Sequence, residues 1–263
     1  MKVESIRLEC GPQEFEVEIA VLGKGPPLVF LHALDGTEGA APLLKTLAQD
    51  FTVYAPSHPG FGASSLPAGM MSMDDLAYFY LDLLAHLDLA GVTLVGSSLG
   101  GWLACEILVK DSSRFSDVIL AGPLGYWQTD RRRNVLFDIF SVPAETWPGL
   151  FCETPTGFPA AHNGMAPDAL LRIARNREAA TLFGWSPHMS NPKLNQRLHR
   201  INKPVLMAWG SADRIAPVSY REGFASAVPS AKMEVLEGCG HFVHADNPGE
   251  LAKMIARVSL KRT

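Results

Sequence analysis

The segment 96–100, GSSLG, directly follows an apolar run at residues 92–95 and precedes a mostly apolar stretch of helical length at residues 101–108. A strand that passes at once into a helix turns tightly, and small residues on both sides of the turn leave room for the backbone. The residue at the centre of such a turn presents its side chain beyond the end of the strand. The segment therefore predicts a strand, a sharp turn at Ser98 and a helix, with the Ser98 hydroxyl as a candidate nucleophile.

Short apolar runs alternate with stretches of helical length along the chain. Continuous apolar runs of this kind are typical of parallel strands that are covered on both faces. The runs occupy residues 28–31, 52–55, 92–95, 118–121 and 205–209, and the helical stretches occupy residues 42–49, 73–89, 101–110, 217–227 and 248–258. Residues 6–8 and 15–22 alternate charged and apolar side chains, which predicts an antiparallel hairpin at a sheet edge with one wet face. We therefore expect an α/β protein with a mostly parallel twisted sheet and helices on both faces.

About 80 residues separate the apolar runs at 118–121 and 205–209, many more than one crossover between parallel strands requires. This segment is rich in bulky aromatic residues and contains a helical stretch at 166–180. Ligand crevices of open α/β sheets lie at the carboxyl ends of the strands, so we expect a helical lid, or cap, over that edge. A subdomain packed elsewhere is the alternative. The predicted domains are a core of residues 1–123 and 198–263 and a cap of residues 124–197.

A serine hydroxyl is too weakly acidic to attack a carbonyl unaided, so it requires a general base and a group that orients the base. Asp213 lies in a loop after the apolar run at 205–209, and His241 lies in a glycine-containing loop after the run at 233–236. Both loops are expected at the same sheet edge as Ser98. We therefore predict that His241 is the base and that Asp213 orients it.

These two residues have competing interpretations. Asp213 could instead cap the helix that begins near Pro217, and Asp246 could replace it as the acid, although Asp246 lies close behind His241 in the chain. His241 could also be a loop histidine without a catalytic role. The other candidates for the base are His32, His58 and His244. The first two lie at the end of a strand and in a turn, and we interpret them as structural.

Attack on a carbonyl creates an oxyanion, which backbone N–H groups stabilise by about 10² to 10³ in rate per donor. One donor is expected from Leu99, the residue after Ser98, at the positive end of the predicted helix. The other is expected from the loop after the run at 28–31, where we select Leu34.

The composition excludes several partners. The formal net charge of −4 gives no basic field for a polyanion, and the cationic run at 131–133 is too short to supply one, so we expect no nucleic-acid partner. The four cysteines form neither paired motifs nor a dense framework, which predicts reduced thiols and no metal. The first ten residues show no charged-then-apolar leader and no stretch is typical of a membrane span, so we expect a cytoplasmic protein without a membrane partner. The oligomeric state is left open.

Several motifs together resemble the α/β hydrolase superfamily, and the resemblance covers nearly the whole chain. They are residues 31–36 (LHALDG), 57–62 (SHPGFG) and 96–101 (GSSLGG), with Asp213 and Gly240-His241. The chain order of the candidate triad, Ser, Asp, His, is also that of the family. The resemblance implies an α/β-hydrolase fold with an inserted helical cap, no cofactor, and the second oxyanion N–H on Leu34. The chain departs from the family pattern at Ala33, where glycine is usual, and at Ser57, where aspartate is usual.

A serine at the turn argues against the haloalkane dehalogenases and epoxide hydrolases of this superfamily, which carry aspartate there. Hydrolases that cleave carbon–carbon bonds of ring-fission products usually carry asparagine before the nucleophile and tryptophan after the histidine, positions that hold Ser97 and Phe242 here. We therefore predict a carboxylic ester hydrolase for small to medium, largely apolar substrates. A carbon–carbon hydrolase, a lactonase, a perhydrolase and a non-catalytic ligand-binding protein stay open. The candidate substrate-binding residues are Trp185 and Phe242.

Overall fold

The computed structural model of the chain describes residues 3–10, 13–130, 133–154 and 164–260. The strands are β1 (Val3–Cys10), β2 (Gln13–Leu22), β3 (Pro27–Leu31), β4 (Thr52–Pro56), β5 (Val92–Ser97), β6 (Phe115–Ala121), β7 (Thr129–Asp130), β8 (Arg133–Asn134), β9 (Val205–Gly210) and β10 (Ala231–Leu236). Eight of them form one sheet in the order β1-β2-β4-β3-β5-β6-β9-β10, and β7 pairs with β8. The pairs β1/β2 and β2/β4 are antiparallel, and the other neighbours in the large sheet are parallel. The predicted mostly parallel α/β sheet with an antiparallel edge hairpin is confirmed.

Helices fill the connections between the parallel strands. They are α1 (Gly36–Gly39), α2 (Ala41–Leu47), α3 (Met73–His86), α4 (Leu99–Lys110), α5 (Trp147–Phe151), α6 (Pro167–Gly184), α7 (Pro192–Asn195), α8 (Val218–Ala227), α9 (Val243–Asp246) and α10 (Pro248–Ser259). Helix α3 begins with a capping box in which Ser72 and Asp75 hydrogen-bond each other's backbone N–H groups. Among the described helices, none combines the length and the apolar character that a bilayer span requires.

The sheet buries both of its faces, as the continuous apolar runs predict. Leu94 and Val95 are neighbours in β5 and both are fully buried, but they belong to different clusters. Leu94 packs in a cluster that contains residues of α3 and α4, whereas Val95 packs in a cluster that contains residues of α2 and α10. Successive side chains of a strand point to opposite faces, so α3 and α4 cover one face of β5 and α2 and α10 cover the other.

The expected wet face of the edge hairpin is present only in part. Glu14 and Glu16 are exposed, but Glu18, two positions further along β2, is buried. The reason is that the segment after β4 folds over this end of β2: the Ser57 N–H donates to the Glu18 carbonyl at 2.8 Å, and the Glu18 N–H donates to Ser64 Oγ at 3.0 Å. An alternating pattern read along one strand does not reveal this cover.

The segment between β6 and β9 leaves the sheet and contains α5, α6 and α7. Side chains of this segment bind the core at several points. Asn176 Oδ1 accepts from the Gly62 N–H at 2.9 Å, and Asn191 Nδ2 donates to Glu106 Oε1 at 2.7 Å. The expected helix at 166–180 is present as α6, which continues to Gly184. The division of the chain into a core and a cap at the stated boundaries stays a prediction.

Leu94→Ala is expected to lower the free energy of unfolding by about 2 to 5 kcal/mol, because the Leu94 side chain is completely buried in the central strand and its truncation leaves a cavity. The matched control is Leu171→Ala, the same change on a side chain that is 61% exposed on α6, with an expected effect within about 0.5 kcal/mol. Urea unfolding followed by circular dichroism measures both values, and similar losses in the two variants would contradict this placement of the core.

Candidate active site

Four loops that follow parallel strands meet at one edge of the sheet. Leu34 lies in the loop after β3, Ser98 directly follows β5, Asp213 follows β9, and His241 follows β10. These strands run in the same direction within the sheet, so their carboxyl ends face the same side. The sheet topology therefore brings together residues that are far apart in the sequence.

Ser98 occupies a sharp turn between β5 and α4. Its φ of 52° and ψ of −111° lie in a region that non-glycine residues rarely adopt. The Ser98 N–H donates to the Ala121 carbonyl at 2.9 Å, and the Ser98 carbonyl accepts from the Leu124 N–H at 3.1 Å. A Cβ atom at Gly100 would lie 2.1 Å from the Leu31 carbonyl oxygen, so glycine is required for this approach of α4 to β3. The strained turn is held by the strands on both sides of it.

A continuous chain of hydrogen bonds links three side chains at this turn. Ser98 Oγ lies 2.9 Å from His241 Nε2, and His241 Nδ1 lies 2.9 Å from Asp213 Oδ2. Because an ionised carboxylate only accepts hydrogen bonds, we assign the ring proton to His241 Nδ1, which leaves Nε2 to accept from the Ser98 hydroxyl. All three side chains are buried. The arrangement can transfer the hydroxyl proton of Ser98 to the imidazole.

Asp213 is held by its other carboxylate oxygen. Asp213 Oδ1 accepts from the N–H groups of Ile215 at 2.8 Å and Ala216 at 2.9 Å. Burial raises the pKa of this carboxyl, but the electrostatic interaction and hydrogen bond with His241 and the two N–H groups together lower it by more, so the pKa of Asp213 lies below its ordinary value. Helix α8 begins after Pro217 without a side-chain cap. The alternative interpretation of Asp213 as the cap of this helix is therefore wrong.

The N–H groups of Leu34 and Leu99 are the expected oxyanion donors. Leu99 is the first residue of α4, a helix of 12 residues, and the first N–H groups of a helix have no acceptor within it. Within the described residues, neither the Leu34 N–H nor the Leu99 N–H donates to a protein acceptor. Both groups are available for a ligand, and their role as an oxyanion hole stays a prediction.

His32 and His58 form a fully hydrogen-bonded pair beside the turn that carries Leu34. His32 Nδ1 donates to the Ala33 carbonyl at 2.7 Å, while His32 Nε2 accepts from the His58 N–H at 2.9 Å. His58 Nε2 donates to the His32 carbonyl at 3.0 Å, and its Nδ1 accepts from the Tyr80 hydroxyl at 2.5 Å. Burial lowers the pKa of His32 to about 4 and the pKa of His58 well below its ordinary value. Both rings are neutral and all four of their nitrogens are hydrogen-bonded, which supports the structural interpretation of both histidines.

The two remaining competitors have other partners. His244 Nδ1 lies 2.7 Å from Ser97 Oγ, and His244 Nε2 lies 3.0 Å from Asp35 Oδ2. Asp246 Oδ2 accepts from the Gly240 N–H at 2.7 Å, which supports the loop that leads to the base. Neither side chain is part of the chain of hydrogen bonds at the sharp turn.

A carboxylate that no sequence pattern indicated also lies at this edge of the sheet. Glu18 accepts from Ser57 Oγ at 2.9 Å and from two nitrogens of Arg172 at 2.7 and 3.1 Å. Burial raises the pKa of Glu18, but these hydrogen bonds and the charge of Arg172 lower it by more, so its pKa lies below the ordinary value. Glu18 and Arg172 are 154 positions apart, so no local pattern could have paired them. The one signal in the sequence was Ser57, a Glu18 partner that stands where the family usually carries aspartate.

The predicted substrate-binding residues lie in different surroundings. Trp185 is 60% exposed at the end of α6. Phe242 is fully buried and stacks on Phe151 with ring centroids 4.4 Å apart. Residues 131 and 132 of the cationic run lie outside the described residues. In the part of the chain that the structure describes, no group of three His, Cys, Asp or Glu side chains is arranged to hold a metal ion.

Comparisons with known proteins agree with the fold. The model of a family described as alpha/beta hydrolase fold matches residues 26–248. An uncharacterized protein of Mycobacterium tuberculosis is 26% identical over 263 residues, covering 90% of this chain and 76% of that protein. A solved esterase from Thermogutta terrifontis superposes with a TM-score of 0.76 at 22% identity over 99% of both chains. A meta-cleavage product hydrolase from Pseudomonas fluorescens IP01 superposes with a TM-score of 0.76 at 17% identity, over 95% of this chain and 96% of that chain.

The hydrogen bonds of His32 and His58 predict opposite tautomers for the two rings. Histidine ¹⁵N chemical shifts should report the Nδ1–H form for His32 and the Nε2–H form for His58, with both rings still neutral at pH 5. His86, which is exposed on α3, serves as the internal reference for the chemical shifts. A protonated ring at His32 or His58 at pH 5 would contradict the assignment.

The same pair predicts how stability depends on pH. Between pH 6.5 and about 4 the unfolded chain binds more protons at His32 than the folded chain, so stability is lost as the pH decreases. His32 alone should cost about 2 kcal/mol of unfolding free energy between pH 7.5 and pH 5. His32→Gln should reduce this pH dependence in urea unfolding, whereas Leu171→Ala, which changes no titratable group, should leave it unchanged.

Proposed function

The chain belongs to the alpha/beta hydrolase fold family, and from this premise we propose that it is a serine hydrolase that cleaves carboxylic esters of small to medium, largely apolar substrates. The observation that supports the proposal most strongly is the chain of hydrogen bonds from Ser98 through His241 to Asp213. A nucleophile, a base within hydrogen-bond distance and a third group that orients the base are the parts that acyl transfer requires.

In the proposed first half-reaction, Ser98 Oγ attacks the carbonyl carbon of the ester while its proton moves to His241 Nε2. The carbonyl electron pair moves to the oxygen and forms a tetrahedral intermediate. Its collapse breaks the bond to the alcohol oxygen, which leaves with the proton from His241, and an acyl-enzyme on Ser98 results. Asp213 stabilises the transient imidazolium because its carboxylate stays ionised, in agreement with its lowered pKa.

In the second half-reaction, water replaces the alcohol. His241 takes a proton from the water, whose oxygen attacks the acyl carbon. The second tetrahedral intermediate then breaks its bond to Ser98 Oγ, which takes the proton back from His241, and the carboxylic acid is released. In both intermediates the negative oxygen would accept hydrogen bonds from the N–H groups of Leu34 and Leu99. Their lack of a protein acceptor within the described residues supports this role.

The surroundings of the base support a reaction that is shielded from bulk water. The Phe151 ring, at the end of α5, lies with its centroid 5.7 Å from the His241 ring, and the Phe151 carbonyl accepts from the Phe242 N–H at 2.8 Å. Phe151 and Phe242 are both fully buried. A low local dielectric strengthens the electrostatic terms on which the proposed chemistry depends.

Carbon–carbon hydrolysis of ring-fission products is the second candidate, because a solved meta-cleavage product hydrolase shares the fold. The positions beside Ser98 and His241 favour the ester over this alternative. Ser97, at the position where carbon–carbon hydrolases usually carry asparagine, is hydrogen-bonded to His244. Phe242, at the position where they usually carry tryptophan, is buried. Lactones are cyclic esters and need no change in the mechanism, so they belong among the candidate substrates.

Ser98→Ala should lower kcat for p-nitrophenyl acetate by about 10⁴-fold or more, because the acyl acceptor is removed. The matched control is Ser219→Ala on the exposed part of α8, which should retain wild-type activity. An organophosphonate should transfer its phosphonyl group to Ser98 Oγ in the wild type and the control, with release of its leaving group and the hydroxyl proton, and should leave Ser98→Ala unlabelled. Retained turnover by Ser98→Ala would refute the proposed function, and an unlabelled, inactive wild type would favour a ligand-binding protein of this fold.

A panel of p-nitrophenyl esters with increasing acyl length tests the substrate class. Each buried CH₂ contributes about 0.8 kcal/mol, so kcat/KM should rise about fourfold per added CH₂ until the chain reaches the end of the pocket. A small lactone and a vinylogous 1,5-diketone, measured in the same way, compare the ester proposal with the lactone and carbon–carbon alternatives. Higher kcat/KM for the diketone than for every ester would overturn the ester assignment.

A further inference from the structure

A second buried network of a serine, a histidine and an aspartate lies directly behind the proposed nucleophile. Ser97 Oγ lies 2.7 Å from His244 Nδ1, and His244 Nε2 lies 3.0 Å from Asp35 Oδ2. Ser97 and His244 have no solvent exposure, and the Asp35 side chain is 6% exposed. The proposed ester hydrolysis uses none of these three side chains.

The network connects the three segments that carry the proposed chemistry. Ser97 immediately precedes the nucleophile at 98, and Asp35 immediately follows the oxyanion donor at 34. His244 lies in α9, three residues after the base at 241. Two hydrogen bonds therefore join the sharp turn at 98, the loop that carries Leu34 and the segment that carries His241. Ser97 and His244 are 147 positions apart in the sequence, and Asp35 and His244 are 209 positions apart.

The position of Ser97 argues against a second reactive centre. Ser97 is the last residue of β5 and has the same parity along the strand as Val95, which packs in the cluster that contains residues of α2 and α10. Its hydroxyl therefore points to the face of the sheet that these helices cover. A substrate carbonyl cannot approach a hydroxyl in a closed helix-covered layer, so the network has a supporting role.

Room for the Asp35 carboxylate is provided by a glycine in α1. A Cβ atom at Gly39 would lie 1.8 Å from Asp35 Oδ2, the oxygen that His244 contacts. Within the described residues, Asp35 Oδ1 is buried without a hydrogen-bond partner. Burial of an unpaired carboxylate oxygen costs free energy, so this arrangement is not the one that stability alone would favour.

We propose that Asp35 and His244 are positioning residues that hold the Leu34 N–H at the oxyanion site of Ser98 through the hydrogen bond to Ser97. The proposal rests on the proposed function. Leu34 and Asp35 are adjacent, so a displacement of the Asp35 side chain moves the N–H that is to meet the oxyanion. Loss of one oxyanion donor costs about 10² to 10³ in rate, and a displacement of about 1 Å is enough for a loss of about 10².

The variants that test the proposal are Asp35→Ala and Gly39→Ala. The first removes the acceptor of the His244 hydrogen bond, and the second places a methyl group where the Asp35 carboxylate lies without changing any polar side chain. Both should lower kcat for p-nitrophenyl acetate by about 10²-fold with KM changed by less than about threefold, because the donor acts mainly in the transition state. The matched controls are Asp50→Ala, at an exposed aspartate, and Gly249→Ala, where a Cβ meets no atom within 4 Å; both should keep wild-type kcat.

Two further readouts separate positioning from a general loss of stability. Phenylboronic acid forms a tetrahedral adduct with a serine hydroxyl, and its Kd should increase in Asp35→Ala by the same factor by which kcat/KM decreases. Asp35→Asn retains an oxygen that can accept from His244 Nε2, so it should recover most of the lost kcat. A wild-type kcat in Asp35→Ala or Gly39→Ala, an unchanged Kd for phenylboronic acid, or an equal loss in Asp35→Asn would overturn the proposal.

If Asp35→Ala does not fold, Ser97→Ala tests the same network from its other end by deleting one hydroxyl, with an expected loss of about tenfold in kcat at unchanged KM. Wild-type kcat in Ser97→Ala would then overturn the proposal. Organophosphonate labelling separates this outcome from failure of the proposed function. The positioning variants should still be labelled at Ser98, more slowly than the wild type, whereas a wild type that is not labelled at Ser98 refutes the hydrolase itself.

Discussion

The strained backbone at Ser98 is the constraint on which the rest of the site depends. A residue with φ of 52° and ψ of −111° is unfavourable on its own, so the surrounding structure must supply the free energy that maintains it. The Ser98 carbonyl accepts from the N–H groups of Gly101, Trp102 and Leu124, and the Ser98 N–H donates to Ala121. The turn is thereby joined to α4 and to the end of β6, and both of these elements lie in the buried core. The turn is consequently anchored to the buried centre of the sheet.

Four buried histidines at this edge differ in role because their partners differ. His32 and His58 use every ring nitrogen in hydrogen bonds with backbone groups and Tyr80, and burial keeps both rings neutral. His241 and His244 each lie between a serine and an aspartate, which is a geometry that can move a proton. Only the serine paired with His241 lies at the strained turn, directly before Leu99, whose N–H has no protein acceptor within the described residues. Position relative to the sheet edge, and not residue type, separates the two Ser-His-Asp sets.

Local patterns were sufficient for the sheet, the main helices and the candidate residues that lie just after strands. The apolar run at 92–95 is continuous because neither face of β5 is exposed to solvent: α3 and α4 cover one face, and α2 and α10 cover the other. Continuous runs of this kind therefore predict the parallel strands. Asp213 and His241 could be selected because strand ends of a parallel sheet converge. The pairs Glu18 with Arg172 and Asp35 with His244 could not be selected, since each joins side chains separated by more than 150 positions, and no periodicity reports such contacts.

The loop that carries Leu34 is fixed from two directions, which joins the segment between β6 and β9 to the proposed chemistry. On the core side, Asp35 contacts His244 at 3.0 Å. On the other side, Glu38 at the start of α1 accepts from Arg172 at 2.9 Å, and the same guanidinium binds Glu18 of β2 through two nitrogens. Arg172 belongs to α6, so a displacement of this helix pulls directly on the turn after Leu34. One partly buried guanidinium therefore joins α6 to both β2 and the loop that carries Leu34, so a residue of the segment between β6 and β9 helps to hold that loop in place.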